Sequence, residues 1–179
     1  MEDIIKILQA KRVNKYEIEQ IAASVMGDAK KCDELFQLTK SEDDSLSWHA
    51  WWVCEHITKL ASTSFANKRE EIISLLLACQ HEGKQRLILN ILMRLESDGS
   101  VSVPLLNFCF DNMLSPSQPV AVQSCCMKMA YKLCQREPEL LPELKVILES
   151  AEPGFLTPAT QCTISKILKS IASVGKRAK

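Results

Sequence analysis

Glycine is scarce in this chain, with five in 179 residues. Loops that cradle phosphate need several glycines close together, so the composition argues against that kind of nucleotide site. Proline is missing from the whole first half, and all seven prolines follow Val103. Among the eight cysteines no C-x-x-C pair occurs, which removes the usual zinc and dithiol spacings. No nucleophile elbow or metalloprotease motif is present, and no strand pattern stands out. No apolar run approaches the roughly 18–20 residues that span a membrane. The opening stretch Met1-Glu-Asp-Ile-Ile-Lys6 carries no apolar segment of signal-peptide length. Net charge is absent too: 22 Lys+Arg stand against 22 Asp+Glu, so nucleic acid and acidic membranes exert no overall pull. Residues 1–80 hold 10 basic and 13 acidic groups, and residues 81–179 hold 12 and 9. The expectation is a cytoplasmic protein with reduced cysteines, no cofactor and no bound metal.

What is present is a ladder. Four stretches align without gaps at a spacing of 38 residues. Ala50, Ile88, Cys126 and Ile164 form one column; Val53, Ile91, Met129 and Ile167 form a second. Cys54, Leu92, Ala130 and Leu168 form a third, and Ile57, Leu95, Leu133 and Ile171 a fourth. All sixteen are apolar, and their offsets of 0, +3, +4 and +7 are one face of a helix. A fixed period of this length with a helical face inside it marks a stacked helical repeat.

Helices are predicted over 2–11, 15–26, 28–40, 46–62, 66–80, 83–96, 103–115, 118–136, 138–150 and 158–174. Asn14 reads as an N-cap and Gly27 as a C-terminal stop. Thr157-Pro158, Glu137-Pro138 and Val103-Pro104 place proline at helix starts. Short gaps make neighbours antiparallel. The predicted fold is all-α, an α-α superhelix of about five antiparallel helix pairs. Residues 1–179 are expected to form one domain, with 1–27 as capping helices, 28–174 as four repeats and 175–179 as a basic tail.

On these four columns, over roughly residues 28–174, the chain resembles HEAT and armadillo repeats. HEAT repeats commonly carry an Asp at the turn within the repeat and an Arg just inside the second helix. At the matching helix-start column this chain has Ser47, Gln85, Gln123 and Gln161. The Asp–Arg ladder is therefore missing, with Gln in its place. The size and pattern are also similar to the bacterial alkylpurine DNA glycosylases, which use Trp residues and an Asp on concave helices.

In such an array one strip of each second helix lines the concave surface. Advancing 100° per residue from the buried columns puts Trp48, Trp52, Glu55 and Lys59 on the first strip. Arg86, Asn90, Met93 and Ser97 follow, then Ser124, Lys128, Tyr131 and Gln135, then Cys162, Lys166, Lys169 and Ser173. Five are basic, one is acidic, and three of the chain's ten aromatics are included. Basic groups beside aromatic platforms suit acidic or phosphate-bearing partners. The alternative use for Trp48, Trp51 and Trp52 is packing on the N-terminal helices, where Ile18, Ile21 and Val25 need partners. His49 and His56 lie about 11 Å apart along their helix, too far to share a metal easily.

The leading expectation is a non-catalytic interaction module that binds a protein segment, peptide or acidic partner. Its contact residues would be Trp48, Trp52, Arg86, Asn90, Lys128 and Tyr131. The alternative is a DNA-binding or base-excision protein of the glycosylase-like kind, for which Glu55 is the only candidate catalytic carboxylate. No membrane association is expected.

Overall fold

The computed structural model describes residues 1–95 and 99–177, leaving out the side chains of 155 and 174–177. Ser97, Ala178 and Lys179 thus lie outside the described residues. Ten α-helices and no strand occur among those described. The chain divides into two compact units, Met1–Ser97 and Asp98–Lys179.

The first unit holds α1 (Glu2–Leu8), α2 (Lys15–Val25), α3 (Ala29–Leu38), α4 (Asp44–Leu60), α5 (Arg69–Ala78) and α6 (Glu82–Arg94). Polar side chains start several of these helices by accepting from orphan amides. Asn14 forms a full capping box with Glu17 at α2. Asp28 caps α3, Asp43 caps α4, and the His81 imidazole accepts from the Lys84 amide at α6. Gly27 follows α2 at φ +91, a conformation that a Cβ would strain. Helix α1 is shorter than its apolar pattern predicts and stops at Leu8.

Helix α4 is the centre of this unit and packs against α1, α2, α3 and α6. Its Ala50, Val53, Cys54 and Ile57 are all buried, as are Ile88, Ile91, Leu92 and Leu95 of the next second helix. Phe36 anchors the other side of α4. It meets Trp51 edge-on at 6.0 Å and Phe65 at 6.1 Å, and the Lys40 and Lys68 ammonium groups each lie 5.1 Å from its ring centre.

The second unit holds α7 (Val103–Met113), α8 (Val120–Cys134), α9 (Leu141–Glu149) and α10 (Pro158–Arg177). Cys126, Met129, Ala130 and Leu133 of α8 are buried, as are Ile164 and Ile167 of α10, while Leu168 and Ile171 are half-buried. Proline sets several starts here. Pro142 has no N–H to give to Pro138, so the predicted helix over 138–150 begins as a 3-10 turn at Pro138–Leu140 and becomes α-helical only at Leu141. Helix α10 runs to Arg177, through the start of the expected tail.

The column that lacks Arg has a job of its own. Ser47 Oγ donates to the Thr39 carbonyl at 2.6 Å, and Gln85 Nε2 to Cys79 at 2.8 Å. Gln123 Nε2 donates to Ser115 at 2.7 Å, and Gln161 Nε2 to Pro153 at 3.0 Å. The Ser47 and Gln85 bonds reach back to the C-cap carbonyls of the preceding helices, where the helix itself supplies no donor, and the Gln123 and Gln161 bonds reach carbonyls in the turns that follow α7 and α9. The polar side chain therefore closes the turn within its own repeat.

Candidate functional site

The strip opposite the buried columns is solvent-facing in each unit. On α4, Trp48 and Lys59 are exposed and Trp52 and Glu55 half-buried; on α6, Arg86 is exposed while Asn90 and Met93 are half-buried. In the second unit, Lys128 and Gln135 of α8 are exposed and Ser124 and Tyr131 half-buried, and Cys162, Lys166, Lys169 and Ser173 of α10 are exposed. Fourteen of the sixteen seam residues are buried, and every described strip residue is exposed or half-buried.

The three tryptophans divide. Trp51 is 2% exposed and belongs to the core against Phe36. Trp48 is 38% exposed. Its ring stacks beside His49 at 5.3 Å and tilts by 32° toward His81 at 6.0 Å. Gly83 leaves room for that arrangement, since a Cβ there would stand 3.0 Å from His81 Cε1 and 3.4 Å from Trp48 Nε1. His49 is buried, and its Nδ1 lies 2.7 Å from the Leu8 carbonyl, which pins the end of α1 to α4. With Nδ1 so engaged, His49 acts here as a structural link.

Glu55 is held as well. Its carboxylate pairs with the Arg94 guanidinium at 2.7 Å, and the same Arg94 nitrogen donates to the Asn90 carbonyl at 3.1 Å. The pair ties α4 to α6. No group of three or more potential metal-ligating side chains gathers among the described residues.

A cavity of about 440 Å³ opens between the α1–α2 loop and α4. Trp48, His49 and Trp52 form one side, and Lys11, Arg12 and Asn14 lie on the other. Lys11 and Arg12 are not on the ladder, so a reading based on its phase omits them. The signal for them is local: two adjacent cations immediately before a capping-box helix start.

Elsewhere in the first unit the cations are mostly paired. Lys84 meets Asp44 at 2.8 Å, Lys68 meets Asp33 at 2.8 Å, and Lys40 meets Glu71. Lys84 holds the Asp44 carboxyl below its ordinary value by hydrogen bond and charge. By contrast Lys11, Arg12, Lys30, Lys59 and Arg86 have no ion-pair partner among the described residues.

No described helix is long and apolar enough to cross a membrane. No curated protein and no solved structure matches the chain. The family model of the HEAT repeat domain matches residues 6–171, nearly the whole length, so the chain belongs to the HEAT repeat family, whose arrays in general scaffold protein interactions.

Proposed function

We propose that this HEAT protein is a non-catalytic interaction module that holds a protein segment or an acidic partner on the solvent faces of its second helices. The contact residues are Trp48 and Trp52 on α4, Arg86 and Asn90 on α6, and Lys128 and Tyr131 on α8 of the second unit. The pattern of charge pairing carries this reading. Most cations on the flanks of the first unit, Lys30 excepted, are matched to carboxylates, whereas Lys59 and Arg86 on the face have no such partner among the described residues. An unmatched cation retains its attraction for an incoming carboxylate. The exposed ring of Trp48 adds the rigid aromatic surface from which hot spots are commonly built.

The base-excision alternative gains nothing from the site. Its one carboxylate, Glu55, is neutralised by Arg94, and residues 1–97 carry 13 Lys+Arg against 15 Asp+Glu. Affinity for duplex DNA scales with the phosphates neutralised.

A photo-crosslinking residue placed at Arg86 or Lys128 tests the proposal. Within each unit the face position should trap a partner that its control position does not: Arg86 against Ser74 on α5, and Lys128 against Val146 on α9. Equal trapping from the control positions would refute the assignment of the face.

A further inference from the structure

We infer that the cavity between the α1–α2 loop and α4 is a recognition pocket for the carboxylate side chains of an extended, acidic protein segment. The inference rests on the protein-binding reading above and adds to it a pocket, two residues and a ligand chemistry. At about 440 Å³ the cavity lies within the ~300–1,000 Å³ range of ligand-sized clefts.

Its lining holds two cations against one carboxylate. Lys11 and Arg12 are both exposed at the cavity, with no ion-pair partner among the described residues. The one carboxylate lining it, Glu17, accepts from the Asn14 amide at 2.8 Å within the capping box and keeps its negative charge, so the two cations leave the lining with a net positive charge. The pocket is therefore a basic spot on a unit whose acidic groups outnumber its basic ones. Arg12 can grip a carboxylate with two parallel N–H bonds, and Lys11 adds a second point charge.

The opposite wall is apolar and prearranged. Trp48 stacks beside His49 and lies near His81, and His49 is fixed by the Leu8 carbonyl, so ordering this wall costs little on binding. An extended peptide fits both walls at once: alternate side chains point to opposite sides, one set toward the cations and the other against the indoles. Two cations on an acidic unit neutralise too few phosphates to hold duplex DNA.

Random-peptide display against the full chain provides the test. Selected peptides should be enriched in Asp and Glu. Their affinity should fall about tenfold or more in the Lys11→Ala, Arg12→Ala double variant, the scale of a charged hydrogen bond. Both residues are exposed, and an unchanged thermal melt serves as the folding control. Trp48→Ala should weaken the same peptides, and raised salt should weaken them in the wild type. If acidic peptides bind but lose affinity only in Lys59→Ala, Arg86→Ala, the face reading stands and the pocket assignment fails. If neither pair of substitutions matters, both fail. Selection without acidic bias, or no selection at all, also overturns the pocket. So does tight duplex DNA binding at low salt that the double variant abolishes.

Discussion

The two units carry the same buried ladder and reach it by different chemistry. In the first, α2, α3, α4 and α6 begin with side-chain caps from Asn14, Asp28, Asp43 and His81, and four ion pairs join separate elements. All three tryptophans lie there. In the second, Pro104, Pro142 and Pro158 occupy the first turns of α7, α9 and α10, Pro119 immediately precedes α8, and the one side-chain cap among the described helix starts is Thr157 at α10. Both cores hold buried thiols, Cys32 and Cys54 in the first and Cys109, Cys126 and Cys134 in the second. Burial, then the hydrogen bond with Cys126, pushes the Cys109 thiol well up, and burial with Glu143 pushes Cys134 up to about 11. The comparison teaches that the repeat specifies only the apolar seam. What starts each helix and fills the space behind it varies freely, and the first unit's devices respond to pH and salt where proline does not.

The largest test of this contrast sits one residue beyond the first column, where Trp51 in the first unit corresponds to Met127 in the second. Both are buried. Trp51→Ala should cost about 3–5 kcal/mol, since it empties a large volume and loses the edge-on contact with Phe36. Met127→Ala should cost less, toward ~2 kcal/mol, because the flexible thioether makes less specific contacts. Urea unfolding of both variants gives the comparison, and equal losses would deny the aromatic knot its special weight.

A smaller difference is expected in the Gln column. Gln123 uses both ends of its amide, donating to Ser115 and accepting from Thr160 Oγ1 at 3.4 Å. Gln85 donates to Cys79, but its buried Oε1 has no hydrogen-bond partner among the described residues. Replacing Gln123 with Met should therefore cost about 1–3 kcal/mol. Gln85→Met relieves a buried unsatisfied oxygen as it loses one bond, so its net cost should be ~1 kcal/mol or less. Thermal melts that rank the two in the reverse order would show the orphaned oxygen to be of no consequence.

How much of this could be read from the chain follows from what generates each feature. The seam is legible because burial on one helix face imposes a period, and 38-residue stacking repeats it. The same phase separates the exposed Trp48 from the buried positions around it, yet it says nothing about Trp51, whose fate depends on Phe36 arriving from another helix. Asn14 and Gly27 are legible because capping is local. Glu55–Arg94 is not, because no local pattern brings residues 39 apart to 2.7 Å. Lys11 and Arg12 escape for the same reason: they matter only once the α1–α2 loop lies against α4. Gln in the Arg column was visible as a departure, but its bond within the repeat depends on the path of the preceding turn.

The smallest expected effect concerns acid. Lys84 lowers the Asp44 carboxyl from its ordinary value of 3.8, with His81 adding to the pull, and the Lys31 amide lowers Asp28 at the α3 cap. For a carboxyl lowered by folding, the stabilisation is fully present above the unfolded value and is lost as pH falls through the folded one. Both groups stand in the first unit, so its helices should loosen first as pH drops below about 3.8. Asp44 is largely exposed, which makes the contribution modest and sensitive to salt. Amide exchange of α4 and α6 should be slightly faster in Asp44→Asn than in the wild type at neutral pH. That gap should close in strong acid, where Asp44 is protonated anyway, and in high salt, where the pair is screened. Exchange in α8 should show neither change. If the gap persists unchanged in strong acid, the Lys84–Asp44 pair is not its source, and the pH sensitivity assigned to the first unit must lie in its other charged contacts.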